Sequence, residues 1–313
     1  MIKKPLISVI VTVYKDEPSL KEIANRILLI ATQISFEVEI IFVNDNSPDD
    51  SQKILLALAQ NDPRIKIIKH SRSFGSQAAF LTGLRKSCGD ACVLMDGDLQ
   101  DPPELIFDFY QKWKEGYKVI VGERVKREGS FLDQLFRKIF YRVFSFVCDF
   151  SLPVDAGDFS MIDKSVVEHL VKVNEKILFL RGNRAFLGFK QASVPYFRPR
   201  RKHGKSTNSF LRNFLWVRIA LFNFSRLPVS VLYFFSFLSF FIFLFKLNFI
   251  LLLSSGFFLG IAIIADYLFL ILSEVKNRPQ AVIESQFGFD QAFDKIPYTR
   301  DSHFQFEKED SIN

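Results

Sequence analysis

The first half of the chain alternates short runs rich in Val and Ile with amphipathic stretches, and this alternation limits the possible folds more than any other feature. Five such runs, bounded by Asp, Asn, Gly or Pro, predict β-strands at Leu6–Val13, Glu39–Val43, Ile65–Lys69, Ala91–Met95 and Lys118–Val121. Helical patterns separate them, at Ser19–Gln33, Asp49–Gln60, Gln77–Lys86 and Pro103–Glu115. Strands that alternate with helices build βαβ units, so we predict an α/β fold around a mostly parallel sheet.

Polar and acidic residues collect where these strands end, and ligands of open parallel sheets bind beyond the carboxyl ends of the strands. The segments are Tyr14–Glu17, Asn44–Ser47, Arg72–Gly75 and Asp96–Asp98. The most informative is the last, in which Gly97 separates two carboxylates directly after an apolar strand. An Asp-x-Asp pair alone is more often a solvated turn, but this position and the following Gln100–Pro103 favour a functional site.

Carboxylates at the spacing of Asp96 and Asp98 suit Mg2+ or Mn2+, with phosphate oxygens and water completing the coordination. A metal there would neutralise charge on a diphosphate leaving group. Other cofactor motifs are missing from the sequence: it has no GxGxxG after the first strand and no GxxxxGK[ST]. A dinucleotide-binding domain and a P-loop NTPase are therefore not expected.

The chain is basic, with 41 Lys and Arg against 34 Asp and Glu among 313 residues, and the excess lies beside long apolar segments after the first hundred residues. This placement favours an anionic membrane surface over nucleic acid as a partner. Cys88, Cys92 and Cys148 form neither a CxxC pair nor a Cys/His ligand set, so a reducing cytosol is expected. The first residues lack the pattern of a signal peptide.

Two stretches combine apolar and basic residues at helical spacing. Phe131–Asp149 carries Phe, Leu, Ile and Val on one face and basic residues on the other. A helix packed on the core and a helix in the membrane interface fit this pattern equally well. A second such helix is predicted at Ser209–Arg226, within a juxtamembrane segment 206–228.

Two apolar runs, Val229–Phe245 and Phe249–Leu272, predict a transmembrane hairpin, since roughly 17–25 apolar residues cross a bilayer. Basic residues flank both outer ends, so the catalytic domain (residues 1–205) and the tail (273–313) are expected in the cytoplasm of a multi-pass inner-membrane protein. Asp266 in the second run would face protein or a polar contact. Two buried core helices are the less favoured alternative, because core helices are seldom apolar all round over this length.

Several motifs occur in a characteristic order, at Ile7–Glu17, Phe42–Asp50, Ser71–Ala79, Met95–Pro103 and Asp155–Phe159, followed by the apolar hairpin. Together they resemble bacterial polyprenyl-phosphate (undecaprenyl-phosphate) glycosyltransferases of glycosyltransferase family 2, a group similar to dolichyl-phosphate mannose synthase. The resemblance extends to about Pro279 and implies a Rossmann-like GT-A fold. It also implies an inverting transfer of a sugar from a nucleotide-sugar, expected to be a UDP-sugar, to a polyprenyl phosphate. The product would serve cell-surface glycan or lipid A modification.

The resemblance implies roles in the donor site for residues that match the family's motifs. Those expected to contact the nucleotide-sugar are Thr12, Tyr14, Glu17, Asp45, Arg72, Asp96 and Gln100. Asp45 would contact the base, and Asp98 would be the more direct metal ligand, with Asp96 beside it. Thr12, Ser73 and Ser76 replace the family's usual proline, asparagine and lysine or histidine, which leaves base and sugar specificity open.

On the acceptor side, the resemblance would make Asp158, or else Asp155, the catalytic base. A lipid monophosphate with a second pKa of about 6 is already ionised at neutral pH, however, and barely needs one. Asp158 would then orient the acceptor or metal, and a helix N-cap before Ser160–Val173 is a further alternative. A basic loop follows, which is either a solvated charge run or a phosphate-binding loop. Its phosphate ligands would be Arg198, Arg201 and Lys205, with Arg181 as an additional candidate.

Two other functions remain open. A polymerising synthase of the same superfamily is less favoured, because the Gln-x-x-Arg-Trp motif is missing from the sequence and only two apolar runs are long enough to be spans. A non-catalytic membrane scaffold that binds nucleotide is disfavoured by the intact carboxylates of Asp45, Asp96, Asp98 and Asp158. The sequence is compatible with a homo-oligomer.

Overall fold

A computed structural model describes residues 4–34, 36–125, 156–173, 175, 178–199, 233–234, 237–238 and 249–289. Several predictions lie outside these residues: the helices at 131–149 and 206–228, most of the first apolar run, and the chain beyond 289. Three predicted site residues, Asp155, Arg201 and Lys205, also lie outside them.

Eight strands in the described residues form one sheet, in the order β7-β5-β6-β4-β1-β2-β3-β8. They are β1 Leu6–Val13, β2 Glu37–Asn44, β3 Ile65–His70, β4 Ala91–Asp96, β5 Val119–Arg124, β6 Ala156–Asp163, β7 Gln191–Tyr196 and β8 Ile283–Phe287. Strands β1 to β4 pair in parallel, as do β5 and β7, whereas β6 and β8 run antiparallel to their neighbours. The predicted α/β fold with a mostly parallel sheet is confirmed.

Helices cover both faces of this sheet. They are α1 Leu20–Ile34, α2 Ser51–Asn61, α3 Ser76–Lys86, α4 Ile106–Lys114, α5 Lys164–Leu170, α6 Leu180–Phe186 and α7 Phe249–Val275. Along β1, Val9 and Val11 belong to the core that α1, α2 and α4 cover, whereas Ile10 packs with α3, α5 and α6. Burial on both faces explains why β1 is a continuous apolar run rather than an alternating one.

The region after Asp155 does not contain the helix from Ser160 that was the alternative interpretation. Residues 156–163 form β6, and α5 begins only at Lys164. Phe159 and Met161 pack in one core layer and Ile162 in the other, which is the two-residue period of a strand. The helix N-cap is Asp163, whose carboxylate accepts a hydrogen bond from the Ser165 amide, so the interpretation of Asp158 as the cap is wrong.

The chain after α7 returns to the sheet, although its polar sequence gave no strand prediction. Strand β8 pairs antiparallel with β3, and the Ser71 amide donates to the Val282 carbonyl at 3.0 Å. Lys69 on β3 also pairs with Glu284 on β8, at 2.9 Å. Residues 283–287 are therefore part of the α/β domain.

The second predicted span coincides with α7, which extends over 27 residues. Within the part of the chain that the structure describes, no helix combines the length and the apolarity needed to cross a membrane.

Candidate active site

Three carboxylates lie together where β4 ends: Asp96, Asp98 and Asp101, here named the acidic cluster. Gly97 fixes the turn, because its amide donates to the Thr12 carbonyl at 2.9 Å and an added Cβ would lie 2.8 Å from that oxygen. A larger residue would push the end of β4 away from β1. The missing side chain of Gly97 thus allows the turn to approach strand β1 closely.

Each carboxylate of the acidic cluster has a defined partner. The Thr12 hydroxyl donates to Asp96 at 3.2 Å, and the Gln100 amide donates to Asp98 at 3.0 Å. Buried Asp101 accepts a 2.6 Å hydrogen bond from the Tyr196 hydroxyl on β7. The structure thus brings Thr12, Asp96, Asp98 and Gln100 together, as predicted for the donor site.

Arg198 also faces the acidic cluster. Its Nη2 lies 4.0 Å from Asp96 Oδ2 and 3.9 Å from Asp98 Oδ2, and its Nε lies 3.7 Å from Asp101 Oδ1. These are ion pairs at long range, and the buried Nε makes no hydrogen bond. The neighbouring Pro199 carbonyl accepts from the Gln100 side chain at 3.1 Å. The guanidinium therefore compensates the carboxylates only partly.

The electrostatics of Asp96 reflect this incomplete compensation. Burial and, after it, the charges of Asp101, Asp98 and Asp158 together raise its pKa to about 7, against the opposing effect of Arg198. Excess negative charge on hard oxygen atoms is the chemistry that suits a divalent cation. Among the described residues, no group of three or more His, Cys, Asp or Glu side chains is arranged to hold a metal. Two carboxylates would thus need phosphate oxygens and water as further ligands.

The loops after β1 and β2 are joined by hydrogen bonds. The Lys15 amide donates to the Ser47 hydroxyl at 2.8 Å, and the Asp50 amide donates to the Glu17 carboxylate at 3.2 Å. Tyr14 is exposed beside them. The Tyr14 ring is therefore accessible to a ligand, whereas the Glu17 carboxylate connects the two loops.

Asp45, predicted to contact the base, is buried and bonded entirely within the protein. It accepts from His70 Nδ1 and the Phe74 amide, each at 2.8 Å, and from the Ser73 hydroxyl at 2.7 Å and the Gly75 amide at 2.8 Å. Burial opposes its ionisation, but these hydrogen bonds prevail and lower its pKa. Nearby, the exposed Arg72 places its guanidinium 4.0 Å from the Phe74 ring centre. The structure thus puts Asp45 underneath the loop that carries Arg72.

Asp158 lies on β6 and forms a bidentate ion pair with Arg181 on α6, at 2.8 and 2.7 Å. Arg184 lies beside it and donates to the Gly157 carbonyl at 3.0 Å and to the Ser160 hydroxyl. Burial raises the pKa of Asp158, but the charge and hydrogen bonds of Arg181, the charge of Arg184 and a hydrogen bond from Gln77 lower it well below its ordinary value. A carboxylate with so low a pKa is a weak base, so the geometry does not favour the predicted role of catalytic base.

The sequence did not predict four residues of the site: His70, Asp101 and Arg184, which contact predicted residues, and Tyr196, which donates to Asp101. His70 is the last residue of β3. We call the expectation that ligands bind beyond the carboxyl ends of the strands the strand-end rule, and it would have indicated His70 if the predicted strand had been one residue longer. Arg184 lies one helical turn after Arg181, a spacing that puts both on the same side of α6. Tyr196 ends a strand that was not predicted, so its side chain carried no signal.

A mostly parallel sheet with a central strand that ends in an acidic pair is the arrangement of a GT-A glycosyltransferase. Residues 8–171 match glycosyl transferase family 2. Over 305 residues the chain is 34% identical to the uncharacterised glycosyltransferase YkcC of Bacillus subtilis, with 90% of this chain and 94% of the relative covered. The chain belongs to glycosyl transferase family 2, and the protein is a glycosyltransferase.

Two further similarities concern proteins with more specific descriptions. The SfII prophage-derived bactoprenol glucosyl transferase of Shigella flexneri is 29% identical over 302 residues, covering 89% of this chain and 97% of the relative. A solved mannosyltransferase of Pyrobaculum calidifontis, in complex with GDP-Man and Mn2+, gives a TM-score of 0.44 at 17% identity and covers 88% of each chain.

Proposed function

We propose that this glycosyltransferase moves a sugar from a UDP-sugar to a polyprenyl phosphate, with inversion at the anomeric carbon. The observation that carries the proposal is the acidic cluster with a guanidinium facing it. Carboxylates that attract a cation and an arginine that attracts phosphate suit the diphosphate of a nucleotide-sugar. Similarity to a bactoprenol glucosyl transferase along nearly the whole chain supports the lipid acceptor.

In the donor site, Asp96 and Asp98 would hold Mg2+ or Mn2+, and the bound metal would neutralise the charge of the leaving diphosphate. Arg198 would exchange its long-range carboxylate contacts for phosphate oxygens, to which a guanidinium binds bidentately. Thr12 and Gln100 already contact the acidic cluster and would hold it in position. Tyr14 and Arg72 are exposed beyond the ends of β1 and β3, the two strands that flank β2, where they can reach the nucleoside.

In the acceptor site, the lipid phosphate is the nucleophile and is largely ionised at neutral pH. A base is therefore not required, in agreement with the low pKa of Asp158. We assign Asp158 the role of holding Arg181, whose side chain is about one-third exposed and can reach an anionic acceptor. Arg201 and Lys205 would add positive charge around the acceptor phosphate or the diphosphate, as the family resemblance implies.

We further propose that the protein is a multi-pass protein of the inner membrane and that its catalytic domain faces the cytoplasm. Large apolar side chains are exposed along α7: Ile250, Phe257, Leu259, Ile261, Ile264, Leu268, Phe269, Ile271, Leu272 and Val275. Such a surface favours contact with lipid. Because β8 follows α7 and pairs with β3, the end of α7 would lie on the same side of a bilayer as the sheet in this proposal. The two-span hairpin stays a prediction.

The test uses the full-length protein in detergent with Mn2+, undecaprenyl phosphate and a panel of radiolabelled nucleotide-sugars. We expect one UDP-sugar to label the lipid, and we expect Asp98→Asn to abolish labelling. Asp108→Asn is the matched control, since Asp108 is exposed on α4 and should leave labelling unchanged.

Four outcomes would count against the proposal. If no donor labels the lipid, or if Asp98→Asn labels it as well as the wild type does, lipid transfer at this site is wrong. If a sugar polymer forms instead, the protein is a polymerising synthase. If nucleotide binds without any transfer, a binding scaffold is the better description.

A further inference from the structure

His70 and Asp45 form a buried pair beneath the loop that follows β3. The His70 ring is fully buried and Asp45 is 4% exposed. Nδ1 of His70 lies 2.8 Å from Asp45 Oδ1, and Nε2 lies 3.1 Å from the Thr82 hydroxyl on α3. Both ring nitrogens are thus engaged, and the ring is fixed between the end of β2 and the first turns of α3.

Asp45 in turn holds the loop. Each of its oxygens accepts two hydrogen bonds: Oδ1 from His70 and the Phe74 amide, Oδ2 from the Ser73 hydroxyl and the Gly75 amide. A carboxylate offers about four acceptor positions, so these four donors use its capacity. The imide N–H of a uracil ring would have to displace one of them. Asp45 is therefore suited to ordering the loop rather than to reading a base.

The outer surface of the loop depends on the same pair. The Phe74 and His70 rings pack perpendicular to each other at a centroid distance of 5.6 Å, and the Arg72 guanidinium lies 4.0 Å from the Phe74 ring centre. A chain of contacts thus connects buried His70 to exposed Arg72. A change at His70 would alter the position of Arg72 without touching a ligand.

We propose that His70 is a positioning residue of the donor site: it orients Asp45, Asp45 orders Ser73–Gly75, and this loop rather than Asp45 contacts the nucleotide. The inference rests on the proposed function, since it requires that a nucleotide-sugar binds beside this loop. It also revises the prediction that Asp45 contacts the base. Loss of the hydrogen bond from His70 should weaken the binding of every nucleotide by a similar factor. If Asp45 contacted the base instead, the loss would depend on which base the nucleotide carries.

The test measures binding of UDP and GDP with Mn2+ to the full-length protein by calorimetry. His70→Phe keeps a ring but removes both ring nitrogens, so we expect it to weaken the binding of each nucleotide that binds the wild type by about tenfold, the effect of one lost hydrogen bond to a charged group. His70→Asn keeps an N–H near the position of Nδ1 and should recover most of the affinity. In transfer assays, KM for the donor should rise about as much while kcat stays within about twofold.

Two more variants keep the test decisive. Ser8→Ala removes the buried hydrogen bond from Ser8 to Glu39 at the opposite end of the sheet, and it should leave nucleotide binding unchanged. Ser73→Ala alters an exposed hydroxyl, so folding should persist, and it should weaken UDP and GDP by the same factor of about three.

The inference is overturned if His70→Phe and Ser73→Ala bind nucleotides as the wild type does. It is also overturned if either variant weakens UDP alone, because Asp45 or its partners would then read the base. A wild-type protein that binds no nucleotide would overturn the proposed donor site itself, and this inference with it. Nucleotide binding that is independent of His70 leaves the proposed function standing.

Discussion

Asp96 and Asp158 lie on neighbouring antiparallel strands, each two residues beyond the last paired positions, Leu94 and Ser160. Their environments nevertheless move their pKa values in opposite directions. The pKa of Asp96 rises to about 7, whereas that of Asp158 falls well below its ordinary value. Burial raises both, so the difference comes from the charges and hydrogen bonds around each carboxylate.

The arginine partners account for the contrast. Arg181 contacts Asp158 with two hydrogen bonds of 2.8 and 2.7 Å, whereas Arg198 stays 4.0 Å from Asp96. Asp96 also has the carboxylates of Asp98 and Asp101 beside it. Asp158 is thus neutralised within the protein, while Asp96 still lacks a close positive charge. Carboxylates whose environments separate their pKa values in this way commonly have different roles in a site.

Replacing Arg181 by Leu should have the largest effect on this contrast. It leaves the buried Asp158 carboxylate without its bidentate partner, and breaking such a pair typically costs about 3–5 kcal/mol in the free energy of unfolding. Denaturant unfolding of the full-length protein in detergent measures the loss. Adding Asp158→Asn should recover more than half of it, because the unpaired charge is then gone. A loss below about 1 kcal/mol would mean that Arg184 alone compensates Asp158.

The same pair should show in the acid stability of the wild type. Because the pKa of Asp158 is lower in the folded chain than its usual 3.8, the stabilisation is complete at neutral pH and is lost as the pH falls below about 4. Arg181→Leu should flatten this part of the stability profile.

Arg198→Gln should have the next largest effect, and two measurements should move in opposite directions. Transfer activity should fall by about 10²–10³-fold, the typical cost of losing one group that stabilises transition-state charge. Binding of Mn2+ alone should become tighter, since Arg198 no longer offsets the charge of the acidic cluster. Arg198→Lys keeps the charge but not the bidentate geometry, so its activity should be intermediate. Weaker Mn2+ binding in Arg198→Gln would contradict this view of Arg198.

The sequence predicts some strands of this molecule better than others, and the difference follows from how deeply each strand is buried. Strands β1 to β5 are buried or bounded by turn residues. Because burial requires apolar side chains, these strands have an apolar sequence pattern from which they can be predicted. Strands β7 and β8 are the two edges of the sheet that the described residues form, and neither sequence, Gln191–Tyr196 nor Ile283–Phe287, contains a continuous run of Val, Ile or Leu. Edge strands need less burial and carry less signal.

The candidate site divides in a similar way. The strand-end rule found Asp45, Asp96 and Asp98, because chain direction alone fixes which end of a parallel strand meets a ligand. It could not find the pairing of Asp158 with Arg181, which depends on how α6 packs against β6. Nor could it show that every acceptor position of Asp45 is used, since that depends on the buried position of His70.

The pH dependence of metal binding offers a smaller effect that separates the two carboxylates. A cation needs ionised Asp96, and the proton competes below about pH 7 because the pKa is raised to that value. Affinity for Mn2+ should therefore fall by up to about tenfold for each pH unit below 7. Asp158→Asn removes one charge that raises the pKa of Asp96, so it should shift this profile to lower pH. An unshifted profile would mean that the two carboxylates are not coupled.

Asp163→Ala should have the smallest effect, on stability alone. Asp163 lies at the other end of β6 from Asp158, and burial raises its pKa less than hydrogen bonds from Ser165, Trp113 and Lys118 lower it. Two aspartates on one strand thus share a lowered pKa, but Asp163 caps α5 and lies outside the site. Losing the cap should cost about 1–2 kcal/mol in the free energy of unfolding and leave kcat and the donor KM unchanged.

A change in either kinetic constant for Asp163→Ala would place Asp163 in the site. If both constants stay unchanged, a lowered pKa only marks a carboxylate that the protein itself stabilises in its ionised form. Arg181 does this for Asp158, and Ser165 does it for Asp163. The raised pKa of Asp96 is then the more informative signal, because it marks the carboxylate that still lacks a close partner.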